Sequence, residues 1–135
     1  MYIVMECIQE GEDLNEIMEK RAVVQNEANG TNVHYGTFPE QEVARLVYMI
    51  ASGIYHIHKN GIIHRDIKPD NCLLTADNGL KIIDFGLAKH ASKREYGQSY
   101  IGSMLYMAPE VFELSGNNEA YSAPVDVWAL GITMY

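Results

Sequence analysis

No run of apolar residues in this 135-residue chain is long enough to cross a bilayer. The longest, around residues 46–55, is interrupted by Ser52 and Gly53 and falls well short of the ~20 residues a spanning helix needs. The opening residues 1–7 are apolar but lack a basic flank, a long apolar core and a cleavage site, so they do not read as a secretory leader. Basic residues are also scarce. Ten Lys and Arg face eighteen Asp and Glu, for a net charge of −8 and a pI near 5.0. That balance argues against a general nucleic-acid binder and fits either cationic peptides as partners or a negative surface that simply keeps a protein soluble. Only two cysteines occur, Cys7 and Cys72, and their separation matches no metal or redox spacing. They read as free thiols in a reducing compartment. The triplet Asn29-Gly30-Thr31 would count as a glycosylation acceptor only in a secreted chain. The chain therefore reads as soluble and intracellular, cytoplasmic or nuclear, with no membrane segment.

What is present is ordinary globular composition, 47% apolar and 21% charged, and one domain's length at most. Residues 2–5 form a short β-prone run with nothing upstream to pair with, and the apolar stretch from Asp126 stops at Tyr135 without a cap. Both features suggest an internal piece of a longer protein. Residues 10–13 break the first run, and residues 14–21 read as a short helix. Residues 23–35 have no usable period and read as a loop or insertion. Thr37 and Glu40 have the spacing of a capping box, with Pro39 tolerated in the first turn. Behind it Val43, Leu46, Val47, Ile50, Ile54 and Ile57 recur by threes and fours, predicting a core helix of some five turns ended by Asn60-Gly61. Residues 72–74 and 80–83 are short apolar runs joined by Asp77-Asn78-Gly79, which is hairpin chemistry. From Asp84 to Tyr106 no period is visible, the mark of a functional or a disordered segment.

The chemistry concentrates in residues 62–74. Asp66, Lys68 and Asn71 converge from one tight turn just ahead of the hairpin. A carboxylate can orient a hydroxyl and accept its proton, an ammonium can neutralise a phosphate oxygen, and an amide oxygen can ligate a hard cation such as Mg²⁺. Beyond the hairpin Asp84 offers a second hard ligand, followed by Phe85-Gly86. Phosphoryl transfer needs these parts, because positioning and charge neutralisation dominate its catalysis.

The string HRDIKPDN at 64–71, DFG at 84–86 and APE at 108–110 resembles, in order and spacing, the signature set of eukaryotic-type Ser/Thr protein kinases. The resemblance covers nearly the whole chain except residues 23–38. It implies a two-lobed α+β fold, with residues 1–8 as the last small-lobe strand and hinge and 9–135 as a large-lobe portion. It implies ATP and Mg²⁺ as cofactors and a Ser- or Thr-bearing protein or peptide as substrate. Asp66 would be the catalytic base and Lys68 the stabiliser of the transferred phosphoryl, while Asn71 and Asp84 would hold the metal. Met5 would be the gatekeeper. Glu6 and Ile8 would meet adenine through their backbone, Glu12 or Asp13 would reach the ribose, and Leu73 would form the apolar floor. His64 and Phe85 would pack the two loops together, Asp126 would accept backbone N–H bonds from the catalytic loop, and Trp128 would be core. Lys68 within Asp-x-Lys-Pro-x-Asn and the Gly102-Ser103 pair match the Ser/Thr type, with Ser103 standing for the commoner Thr and Met104 for the commoner Pro. Between Asp84 and Glu110 there is no threonine. Ser99 is then the position at which the resemblance places an activating phosphate, with Arg65 and Lys89 as its partners. Asp70 and Glu12 would favour basic residues before the target hydroxyl. The Gly-rich loop and its lysine are not in the chain, so the rest of a kinase domain would be needed for activity. A nucleotide-binding pseudokinase scaffold is the alternative, disfavoured by intact Asp66, Asn71 and Asp84.

Overall fold

The computed structural model describes residues 6–8, 11–33, 36–91, 102–113 and 122–135. Met5, expected as the gatekeeper, the β-prone run at 2–5 and Ser99 lie outside them. The architecture is α+β, as the resemblance implied. A two-residue strand β1 (Glu12–Asp13) leads into α1 (Leu14–Asn29), which is followed by α2 (Glu40–Lys59) and β2 (Ile62–Ile63). A 3₁₀ turn at Pro69–Asn71 opens the hairpin β3 (Cys72–Leu74) and β4 (Leu80–Ile82). After it come a 3₁₀ turn at Phe85–Leu87, β5 (Lys89–His90), a third 3₁₀ turn at Met104–Tyr106, α3 (Pro109–Glu113) and α4 (Pro124–Met134). No helix among the described residues is long and apolar enough to cross a membrane.

Helix α1 corrects the sequence reading. It does not stop near Arg21 but runs two turns further, through most of the segment read as a loop or insertion. The Asp13 carboxylate accepts the N–H of Glu16 at 2.8 Å and so caps the first turn. At the other end Gly30 takes a left-handed conformation, φ 64°, and closes the last turn on the Asn26 carbonyl. Asn29-Gly30 is thus a helix end rather than a turn inside a loop. The extra turns show no apolar period because they bury almost nothing: past Ala22 the helix faces solvent, with Val23 and Val24 exposed. The returning chain holds them instead. The Asn26 side chain bonds both the N–H and the carbonyl of Val33, and the N–H of Gly36 reaches the Met18 carbonyl. Gly36 lies so close to α1 that a Cβ there would stand 2.3 Å from that of Arg21. Arg21 in turn sits 4.1 Å over the Phe38 ring and pairs with Glu42 at 2.8 Å.

The expected capping box does not form either. Proline disfavours the helical region for the residue before it, so Phe38 cannot be helical and α2 starts only after Pro39. Thr37, left outside, instead accepts a bond from Gln25 Nε2 at 3.3 Å. The rest of α2 follows its period. Leu46, Ile50, Ile54 and Ile57 are buried, roughly 1.5–3 kcal/mol each, and the helix ends at Asn60 with Gly61 at φ 73°.

The predicted hairpin is present, in the register Cys72↔Ile82, Leu73↔Lys81 and Leu74↔Leu80, with Asn78 at φ 61° in its turn. Two pairings escaped the sequence. β1 adds a third antiparallel strand through Asp13↔Leu73, and β5 pairs with β2 through Ile63↔Lys89. Strands of two residues have no alternation to read. One core cluster joins Leu14, Leu46, Ile50, Ile54, Ile67, Cys72 and Ala129, and a second joins Ile63, Ala108, Val111 and Val125. The 64–71 loop runs between them. Trp128, expected in the core, is 46% exposed, because α4 turns Val125, Asp126 and Ala129 inward instead.

Candidate active site

The backbone of the 64–71 loop is strained where it leaves β2. Arg65 has φ 70°, a left-handed conformation that costs a non-glycine residue of order 1–3 kcal/mol and persists only when its surroundings hold it. Asp126, in the first turn of α4 and fully buried, supplies that hold. Its two carboxylate oxygens accept the N–H of His64 at 2.9 Å and of Arg65 at 2.8 Å, as the resemblance implied. His58, near the end of α2, meets the same carboxylate through Nε2 at 2.7 Å. Sequence reasoning missed His58. A lone histidine at a helix end carries no signal until Asp126 is seen beside it.

His64 is also fully buried. Its Nε2 faces the Ile83 carbonyl at 3.0 Å and its Nδ1 faces the N–H of Asp66 at 3.3 Å. A carbonyl only accepts and an amide N–H only donates, so the ring is neutral with its proton on Nε2. The Phe85 ring stands edge-on to it at 4.8 Å. His64 and Phe85 thus join the two loops by packing.

The side chains of Asp66, Lys68, Asn71 and Ser103 form one closed network. Oδ1 of Asp66 accepts from the Ser103 N–H and hydroxyl, both at 3.0 Å. Oδ2 accepts from Asn71 Nδ2 at 2.9 Å and faces Lys68 Nζ at 3.0 Å. Lys68 also donates to the Ser103 hydroxyl at 2.9 Å, and Asn71 Nδ2 to the Asp66 carbonyl at 2.7 Å. Burial pushes the Asp66 carboxyl up, but the Lys68 ammonium and the two Ser103 bonds outweigh it and hold the group below the usual carboxylate range. Gly102 makes the Ser103 contacts possible. It sits at φ 112°, and a Cβ there would stand 2.5 Å from the Arg65 carbonyl oxygen.

Asn71 and Asp84 lie at the base of the hairpin, tied by the Ile83 N–H on the Asn71 carbonyl at 3.0 Å. Asp84 is exposed at φ 59°, with Oδ1 accepting the Gly86 N–H. The Asn71 amide nitrogen is engaged by Asp66, which leaves its side-chain oxygen as the available ligand atom. Amide oxygen and carboxylate are hard donors, a set that fits Mg²⁺.

The other sequence candidates are more scattered. Glu6 is exposed and its carboxylate is held by Lys81, a partner the sequence did not suggest. Ile8 packs beside Gly11 and Leu73. Glu12, the ribose candidate, is paired with Lys20 at 3.0 Å, and Asp13 caps α1. Arg65 donates through Nε to the Leu87 carbonyl at 2.6 Å. Asp70 is exposed beside the loop. Cys72 is buried as a free thiol pushed up to about 12 by burial first and by the Asp70 charge second, whereas Cys7 is exposed.

An α+β domain built round this loop is a protein kinase domain, and the chain belongs to that family, whose model matches residues 1–135. Among similar proteins, "Serine/threonine-protein kinase ICK" of Rattus norvegicus is 43% identical over 97 residues, covering 72% of this chain and 15% of that protein. "SNF1-related protein kinase catalytic subunit alpha KIN12" of Arabidopsis thaliana is 36% identical over the whole chain and 24% of its own length. "Serine/threonine-protein kinase cds1" of Schizosaccharomyces pombe is 37% identical over the whole chain and 27% of its length. The chain thus spans between 15% and 27% of these relatives.

Proposed function

We propose that this chain carries the catalytic loop of an enzyme transferring the γ-phosphoryl group of ATP to Ser or Thr hydroxyls of proteins. The observation that carries the reading is the closed Asp66–Lys68–Asn71–Ser103 network, in which every polar side chain is held by another. Asp66 orients the substrate hydroxyl and accepts its proton as that oxygen attacks the γ-phosphorus and ADP leaves. A carboxylate held low is a weak base, which suits a loose transition state where the proton moves late. Lys68, fixed by Asp66 and Ser103, neutralises charge on the transferred group. Asn71 and Asp84 would hold Mg²⁺ through their side-chain oxygens; the ion supplies charge neutralisation at the phosphates. Glu6 and Ile8 meet the adenine edge through backbone groups above Leu73, and Glu12 or Asp13 approaches the ribose.

The exposed Asp70 and the net charge of −8 support a substrate with basic residues ahead of its hydroxyl. A phosphate on Ser99, met by Arg65 and Lys89, is the regulatory part of the same reading. The free thiols Cys7 and Cys72 suit a reducing intracellular compartment.

The test is steady-state kinetics and ATP titration on the protein expressed with its natural flanking sequence. Asp84→Asn should abolish transfer, and Asp66→Asn should cost turnover far more than ATP affinity. Wild-type turnover in both variants would sink the assignment. ATP binding without transfer by the unmutated protein would favour the scaffold alternative.

A further inference from the structure

The hinge residues and the hairpin meet through two contacts that no motif contains. Lys81 Nζ lies 2.6 Å from each carboxylate oxygen of Glu6. Directly across the ladder from Lys81 stands Leu73. Opposed residues of an antiparallel pair project from the same face, so Lys81 and Leu73 present neighbouring side chains. Leu73 meets the same segment by packing. A Cβ on Gly11 would come within 2.9 Å of both Leu73 Cδ2 and Ile8 Cγ2, so Ile8, Gly11 and Leu73 leave no space between them. One rung of the hairpin therefore meets Glu6, Ile8 and Gly11, with an ion pair on one strand and apolar contact on the other. The same hairpin ends, at its base, in Asn71 and Asp84.

We propose that Lys81 is a positioning residue for the nucleotide site. Its pairing with Glu6 fixes the height of the hinge backbone over Leu73, and with it the width of the slot that receives the adenine ring. The inference rests on the ATP-site reading and deepens it: Lys81 touches no nucleotide atom but sets where the backbone groups of Glu6 and Ile8 stand. Because Asp84 follows β4 by two residues, the two ends of the nucleotide are registered to one another through β4. Lys81 and Glu6 side chains are 43% and 70% exposed. Their pairing is accordingly modest in energy and sensitive to salt. The effect should be graded rather than all-or-none.

The experiment uses the protein expressed with its natural flanking sequence. It measures the ATP dissociation constant by titration, and KM for ATP and kcat with a Ser peptide at low and high salt. Lys81→Met and Glu6→Gln should each raise Kd and KM for ATP about three-fold, a size set by exposed ion pairs, with a smaller change in kcat. Lys81→Arg should retain wild-type affinity. The double reversal Glu6→Lys with Lys81→Glu should recover most of what either single reversal loses. The gap in affinity between the wild type and Lys81→Met should narrow as salt rises. Unchanged affinity in both neutralised variants overturns the proposal. So does a loss that charge reversal does not recover, since that marks a packing role only. A wild-type protein that fails to bind ATP overturns the ATP-site reading itself, and the first titration separates that outcome from the others.

Discussion

The loop at 64–71 and the segment at 6–13 are both assigned to one reaction, yet they are held by opposite means. Around the loop, Asp126, His64, Asp66 and Asn71 are buried, and among the described residues no buried side-chain nitrogen or oxygen lacks a partner. In the segment, Glu6 with Lys81 and Glu12 with Lys20 are pairs in contact with solvent. Removing one member of a buried polar network strands its partners without water, whereas an exposed pair is replaced by hydration at little loss. The 64–71 loop is thus fixed rigidly, whereas the ion pairs of Glu6 and Glu12 are adjustable.

The largest break in that contrast should come from Asp126→Ala. It leaves the N–H groups of His64 and Arg65 and the ring of His58 without their acceptor, and the strained Arg65 conformation without its hold. Stability should fall by about 3 kcal/mol, read from the urea midpoint at constant slope. Next comes Gly102→Ala. The new methyl would push Ser103 away from Asp66 at the Arg65 carbonyl while leaving both core clusters intact. Turnover should drop about 100-fold from misplacement, and the thermal midpoint should fall as well, because alanine is strained at φ 112° against the Arg65 carbonyl. The smallest change concerns pH. The Asp66 carboxyl is raised by burial but lowered further by Lys68 and Ser103. A native pKa below the unfolded one gives stability that is complete above the unfolded value and lost as pH falls through the native value. The acid limb of kcat/KM should therefore lie on the acid side of the ordinary carboxylate range. Ser103→Ala removes the hydroxyl bond but keeps the N–H, and should move that limb to higher pH. A limb that stays in place would show that the hydroxyl does not tune Asp66.

The same contrast decides how much could be read beforehand. Asp66, Lys68 and Asn71 were legible because short-range chemistry at fixed spacing demands those residue types, Ser103 only through the family resemblance, and the structure brings all four together. The α2 helix was legible from its buried stripe, and the hairpin from Asp77-Asn78-Gly79. The last two turns of α1 were not, since Val23 and Val24 face solvent and the stabilising contacts come from Asn26, Val33 and Gly36. Thr37 misled because local capping chemistry yields to the restriction Pro39 places on Phe38. Lys81 and His58 were invisible for a different reason. Their partners, Glu6 and Asp126, lie 75 and 68 residues away, and a long-range pair of single side chains leaves no local pattern.

The bond from His64 to Asp126 joins groups 62 residues apart. A contact of that span forms only after a large loop has closed, and the chain emerges from the ribosome N-terminal end first. A nascent chain that has released residues 64–71 but not Asp126 lacks the carboxylate that accepts the N–H groups of His64 and Arg65. The 64–71 loop therefore gains its carboxylate anchor only after Asp126 has emerged.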